Sequence, residues 1–201
     1  MGTILYIKAN AKPEGASRTF RVSDSFIEAY KKSHPGDKVV ELDLYREDIT
    51  FLTEEDINTV FGPKTEESRK HRILKYAYQF AEADKYVIAA PMWNLGIPAI
   101  LKAYIDYITV TGITFKYTES GPVGLLRGKK AVNISARGGD YHAEPYSNFE
   151  MEDRYLRTIF GFFGITDFTT ITAENLDVMG QDVEAIIGNA IKRANELVVT
   201  F

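Results

Sequence analysis

The sequence predicts an α/β fold, a parallel sheet covered by helices on both faces. Short β-branched and apolar runs alternate with longer stretches of helical period, and one run, residues 85–90, is apolar almost throughout. Strand–helix alternation implies parallel strands joined by right-handed crossovers, and a nearly unbroken apolar run implies burial on both faces. With 201 residues and no compositional break that would mark a linker, the chain reads as one domain spanning residues 1–201.

The elements follow in order. Residues 3–8 form the first strand. Residues 17–32 have helical period, with Phe20, Phe26, Ile27 and Tyr30 inward, and residues 38–44 form the second strand. A helix over 66–83 turns Ile73, Leu74, Ala77 and Phe80 inward; the third strand, 85–90, follows it. A helix over 98–110 carries Leu101, Tyr104, Ile105 and Ile108 on one stripe, with Pro98 in its first turn, where proline is tolerated. Then come a fourth strand at 131–135, a helix at 151–163, a fifth strand at 168–173 and a closing helix at 183–199. Five such strands suit the flavodoxin-like three-layer sandwich with strand order 2-1-3-4-5.

Composition excludes several classes. There are no cysteines, hence no disulfide, thiolate catalysis, iron–sulfur cluster or Cys-based zinc site. The three histidines are far apart in sequence, so no metal site is expected. A formal net charge of −4 and the absence of a basic block argue against nucleic acid. No signal peptide and no apolar run long enough to span a bilayer are found. A cytoplasmic protein that engages neither membrane nor nucleic acid is expected.

In a sheet of this kind ligands bind at the carboxyl ends of the strands, where the strand order reverses. The loop after the first strand offers Asn10, Ser17, Arg18 and Thr19 at a helix start, and helix N-termini favour phosphate. Ser17 as a simple helix cap explains the same residues. The loop after the third strand, Pro91-Met92-Trp93-Asn94-Leu95, places the only tryptophan at a strand end, as a platform for a flat ring or as ordinary core. The loop after the fourth strand, Ala136-Arg137-Gly138-Gly139, lets backbone approach a ligand closely or simply turns. One phosphate site beside one planar-ring platform fits FMN; no second phosphate site for a dinucleotide is seen.

At these residues the sequence resembles the FMN-dependent NADH:quinone oxidoreductases that also act as azoreductases. The resemblance runs through most of the chain. It is strongest over residues 89–94, 114–125, 136–139 and 161–166, and the segment Thr114-Phe115-Lys116-Tyr117-Thr118-Glu119-Ser120-Gly121-Pro122-Val123-Gly124-Leu125 is the most specific. It implies FMN as bound cofactor, NADH or NADPH as donor, quinones and azo compounds as acceptors, ping-pong kinetics and a homodimer. By the same resemblance Asn10, Ser17, Arg18 and Thr19 contact the phosphate. Pro91, Met92, Trp93, Asn94, Leu95, Ala136, Arg137, Gly138 and Gly139 contact the ring, and Phe115, Tyr117 and Phe162 lie beside the substrate face. The chemistry belongs to the flavin, and no catalytic side chain is assigned beyond His142 as a candidate.

The sequence departs from the family pattern in four places. Ala136 stands where a serine is common, Asn10 replaces the usual first-loop serine, and His142 lies one residue beyond the usual histidine. Residues 45–68 match poorly. Two other readings remain open, a flavodoxin-type electron carrier and a non-enzymatic flavin-binding module. The mild net charge and the extra residues 111–130, material for a pocket wall, weigh against the carrier.

Overall fold

The computed structural model describes residues 1–13 and 15–201. Its main sheet has five parallel strands: β1 (Thr3–Lys8), β2 (Lys38–Asp43), β3 (Lys85–Ala89), β6 (Lys130–Ala136) and β7 (Asp167–Ala173). Their spatial order is β2-β1-β3-β6-β7. This corrects the expected numbering 2-1-3-4-5. Two short strands, β4 (Phe115–Thr118) and β5 (Gly121–Gly124), intervene in the chain and pair only with each other, as an antiparallel hairpin.

Alternation along each strand divides the interior into two layers. Ile4 and Tyr6 of β1, with Val87, Val132 and Ile171, pack against α1 (Arg18–Ser33) and α6 (Val183–Leu197). Leu5 and Ile7, with Tyr86 and Ile88, face α3 (Leu74–Glu82), α4 (Ala99–Ile108) and α5 (Glu152–Phe163). β3 lies between the two layers, and Tyr86, Val87, Ile88 and Ala89 are fully buried, as its apolar run requires.

Two stretches differ from the sequence expectation. The helix expected over 66–83 is a 3-10 turn at Glu67–Lys70, an extended residue at His71, and α3 from Leu74. The first half has no apolar face to bury, and the Ser68 hydroxyl donates to the Thr65 carbonyl, competing with a helical ladder. The segment before it holds an unforeseen helix, α2 (Glu54–Phe61), started by a capping box between Thr53 and Asp56. Among the described residues no helix is long and apolar enough to cross a membrane.

The hairpin is held tightly against the end of α5. A Cβ on Gly124 would lie 2.2 Å from the Gly164 nitrogen, so only glycine permits the approach, and the Leu126 N–H donates to the Phe163 carbonyl. β1, β3, β6 and β7 run parallel, and all end on the same side of the sheet.

Candidate functional site

At that carboxyl end, Asn10, Lys12, Arg18, Thr19, Pro91, Met92, Trp93, Ala136, Arg137, Gly138, Leu176 and Asp177 line one cleft. It encloses about 100 Å³, well below the roughly 300–1,000 Å³ of a closed ligand pocket. A nucleotide in it would lie in a groove with one side open.

The first wall is the tip of α1. Ser17 is its N-cap: its Oγ accepts from the Phe20 N–H at 3.1 Å and from Asn10 Nδ2 at 2.8 Å. With its acceptor role filled, the Ser17 hydroxyl still has a proton to donate. Asn10 is fixed in turn, since its Oδ1 accepts from the Lys12 N–H at 3.0 Å. Thr19 is 1% exposed, and among the described residues its Oγ1 has no hydrogen-bond partner. An orphaned hydroxyl in the first turn of a helix, beside amides that a helix cannot pair internally, is a donor set suited to an anion. Arg18 reaches across to Asp177, with Nη1 to Oδ1 at 2.7 Å.

The second wall is the loop after β3. Trp93 and Gly96 exchange both backbone hydrogen bonds, at 2.9 and 3.1 Å, around Asn94 (φ 49°) and Leu95 (φ 71°). Positive φ at both central positions defines a type I′ turn. Asparagine tolerates that conformation, whereas leucine holds it at a cost of about 1–3 kcal/mol. The turn leaves Trp93, Asn94 and Leu95 exposed and Met92 half-buried. Trp93 is therefore not core. Of these residues, Pro91, Met92 and Trp93 line the cleft, while Asn94 and Leu95 lie beyond it.

The third wall is the loop after β6. The carbonyls of Arg137, Gly138 and Gly139 accept from Leu176, Asp177 and Asn175, tying this loop to the one after β7. Among the described residues the N–H groups of Gly138 and Gly139 have no acceptor. A Cβ on Gly138 would lie 2.7 Å from Asp177 Oδ2, the end of an exposed side chain that can turn aside. Leu176 and Asp177, in the loop after β7, join the cleft lining beyond the three loops expected to form it. The carboxyl-end rule itself extends to that strand.

The Arg137 side chain turns into the protein. It is buried, with Nε 3.1 Å from Glu152, Nη2 3.0 Å from Glu150 and Nη1 3.1 Å from Glu174. Glu152, fully buried at the start of α5, also accepts from Asn133 Nδ2 at 3.1 Å and Ser135 Oγ at 2.8 Å. Burial opposes the charge of Arg137, yet Glu152, Glu150 and Glu174 outweigh it and hold the guanidinium above its ordinary value. Burial raises the Glu152 carboxyl, against the pull of Arg137, Asn133 and Ser135.

His142 does not line the cleft; its Nδ1 lies 2.5 Å from Glu174 on the far side of Arg137. Phe115, Tyr117 and Phe162 form one aromatic cluster, with the Tyr117 ring edge-to-face with Phe115 at 5.4 Å between centroids and the Phe162 ring tilted against it at 4.7 Å. None of the three lines the cleft of its own chain.

Replacing Arg137 by leucine should cost about 3–5 kcal/mol near neutral pH, because it strands buried carboxylates. Stranded carboxyls have folded-state pKa values above their unfolded ones. The stability they permit is therefore present at low pH and lost as pH rises, and the deficit should be smaller at pH 5 than at pH 8. Urea denaturation at the two pH values checks both statements, and an equal deficit would contradict the second.

Residues 2–198 match the family model for the flavodoxin-like fold. The chain is 66% identical, over the whole of both sequences, to an FMN-dependent NADH:quinone oxidoreductase of Caldicellulosiruptor saccharolyticus. Its structure matches that of an azoreductase from Bacillus anthracis strain Sterne with a TM-score of 0.90 at 38% identity, covering 100% of both chains. It matches an FMN-dependent NADH-azoreductase from the Ames Ancestor strain, solved in complex with FMN, equally well: TM-score 0.90, 31% identity, 100% and 99% coverage. With cleft, fold and full-length relatives in agreement, the chain belongs to the family of FMN-dependent NADH:quinone oxidoreductases built on the flavodoxin-like fold.

Proposed function

We propose that this chain is an oxidoreductase that holds FMN in the cleft and passes two electrons from NADH to quinones or azo compounds. One observation carries the placement of the cofactor: the buried, unpartnered Thr19 Oγ1 at the tip of α1. It stands in a first turn started by Ser17, whose hydroxyl retains a proton to donate. These donors suit a phosphate monoester, and the helix dipole adds to them. Arg18, now on Asp177, is within the same wall and supplies a positive charge.

Pro91, Met92 and Trp93 would carry the ring at the other end of the cleft, with Asn94 and Leu95 shaping the turn that presents them. The Gly138 and Gly139 amides are fixed donors for negative charge on a reduced ring. Arg137 acts from behind by holding the loop that carries those amides, and Ala136 contributes backbone only. Bound there, FMN would supply the two-electron chemistry between NADH and a quinone or azo compound. The protein supplies placement and an open side on which donor and acceptor stack in turn. No side-chain acid or base is needed, and His142 lies outside the cleft.

The homodimer is part of the same proposal. Tyr117 is 71% exposed at the edge of the aromatic cluster, and Leu125, Tyr146, Phe149 and Met151 are exposed as well. A second copy of the chain would cover such a surface and wall the open groove with the aromatic cluster of Phe115, Tyr117 and Phe162. Interfaces of this permanent kind bury roughly 2,000 Å² or more.

The purified protein should be yellow, bleach with NADH under anaerobic conditions and recover its colour on addition of a quinone. Failure of NADH to bleach a yellow protein would contradict the enzyme reading, and a flavin-binding module would remain. In sedimentation equilibrium the holoprotein should have twice the mass of the chain; a monomer would contradict the dimer.

A further inference from the structure

On the far side of Arg137 from the cleft, the loop after β6 and the end of β7 bring together Asp140, His142 and Glu174. One ligand atom from each lies within 4.8 Å of the other two. His142 Nδ1 is 2.5 Å from Glu174 Oε2, and Asp140 Oδ1 accepts from the His142 N–H at 2.9 Å. The three residues border an open recess with Thr170, Thr172 and Arg193. Asp140 and His142 are exposed and free to adjust, whereas Glu174 is anchored by Arg137.

The electrostatics of this region point the same way. Asp140 adds a fourth carboxylate to Glu150, Glu152 and Glu174, and only one buried guanidinium, Arg137, stands among them. The other cation at the recess, Arg193, donates to the Thr172 carbonyl rather than to a carboxylate. Arg154 and Arg157 line the adjoining recess with His142, Glu150 and Asp153, which leaves only a slight excess of carboxylates, and the cluster includes a nitrogen ligand that an all-acidic patch would lack.

We propose that Asp140, His142 and Glu174 form a binding site for a divalent transition-metal ion of the zinc class. One imidazole nitrogen with two carboxylate oxygens suits zinc and its first-row neighbours, with water completing the coordination. Magnesium and calcium prefer all-oxygen sets and are poorer occupants. The ligand set uses one histidine and two acids from the loops after β6 and β7, so the spacing of the histidines does not reveal it. An ion here would fasten Asp140 to β7, and Asp140 directly follows the Gly138-Gly139 pair. It would therefore stiffen, from outside, the loop that lines the cleft. The site does not depend on the flavin reading.

The test is calorimetric titration of the purified, chelator-treated full chain with zinc chloride. One zinc ion should bind per chain, at least tenfold more weakly in Asp140→Asn and not measurably in His142→Ala, while excess magnesium does not compete. Zinc at a hundred times its dissociation constant should raise the melting temperature by about 5–10 °C in the wild type, with no such rise in His142→Ala. No zinc binding by the wild type, or binding by His142→Ala as tight as the wild type's, would overturn the proposal.

Discussion

The buried ion cluster around Arg137 is the point at which fold and cleft are joined. A guanidinium in the interior is tolerated only when its charge and its donors are all met. Arg137 has its charge met by carboxylates from three places, one at each nitrogen: Glu150 just before α5, Glu152 at its start, and Glu174 just after β7. One side chain thus fixes the end of β6 relative to its neighbours. The loop that follows cannot shift without breaking charge-assisted bonds in a dry setting. Because that loop is pinned from behind, its carbonyls can bond the loop after β7 while the Gly138 and Gly139 amides remain available.

The other two walls obey the same logic by different means. At the α1 tip, Ser17 and Asn10 satisfy one another and the helix start, which leaves Thr19 Oγ1 as the one buried hydroxyl there without a partner. After β3, a type I′ turn holds Leu95 in a conformation that leucine avoids. That local cost is borne by the rigid strand before the turn and by the bond from the Met151 N–H to the Leu95 carbonyl. Among the described residues the non-glycine positions with positive φ, Asn94, Leu95 and Asn175, all lie in loops at the carboxyl end of the sheet.

The sheet was legible because β1 and β3 are nearly continuous apolar runs, and α1, α4 and α5 carry a clear apolar stripe. The helix α2 was missed although Thr53 and Asp56 announce it, since eight residues offer too short a period to read. The helix expected over 66–83 rests on Ile73, Leu74, Ala77 and Phe80, all in its second half; residues 66–72 have no apolar face, and a helix without one is not held. The hairpin could not be placed from its residues alone, because its position is set by the contact of Gly124 with Gly164. The three cleft loops followed from the rule that ligands bind at strand carboxyl ends. The inward turn of Arg137 did not: arginine is usually exposed, and its three carboxylates lie 13, 15 and 37 residues away.

The central claim is that the α1 tip recognises a phosphate while the loops after β3 and β6 hold a flat ring. Comparing FMN with riboflavin isolates the phosphate, because the ring and the ribityl chain are common to both. Fluorescence titration of the apoprotein should show FMN binding at least about a hundredfold more tightly than riboflavin, the scale expected of several charge-assisted hydrogen bonds. Equal affinity for the two would contradict the account.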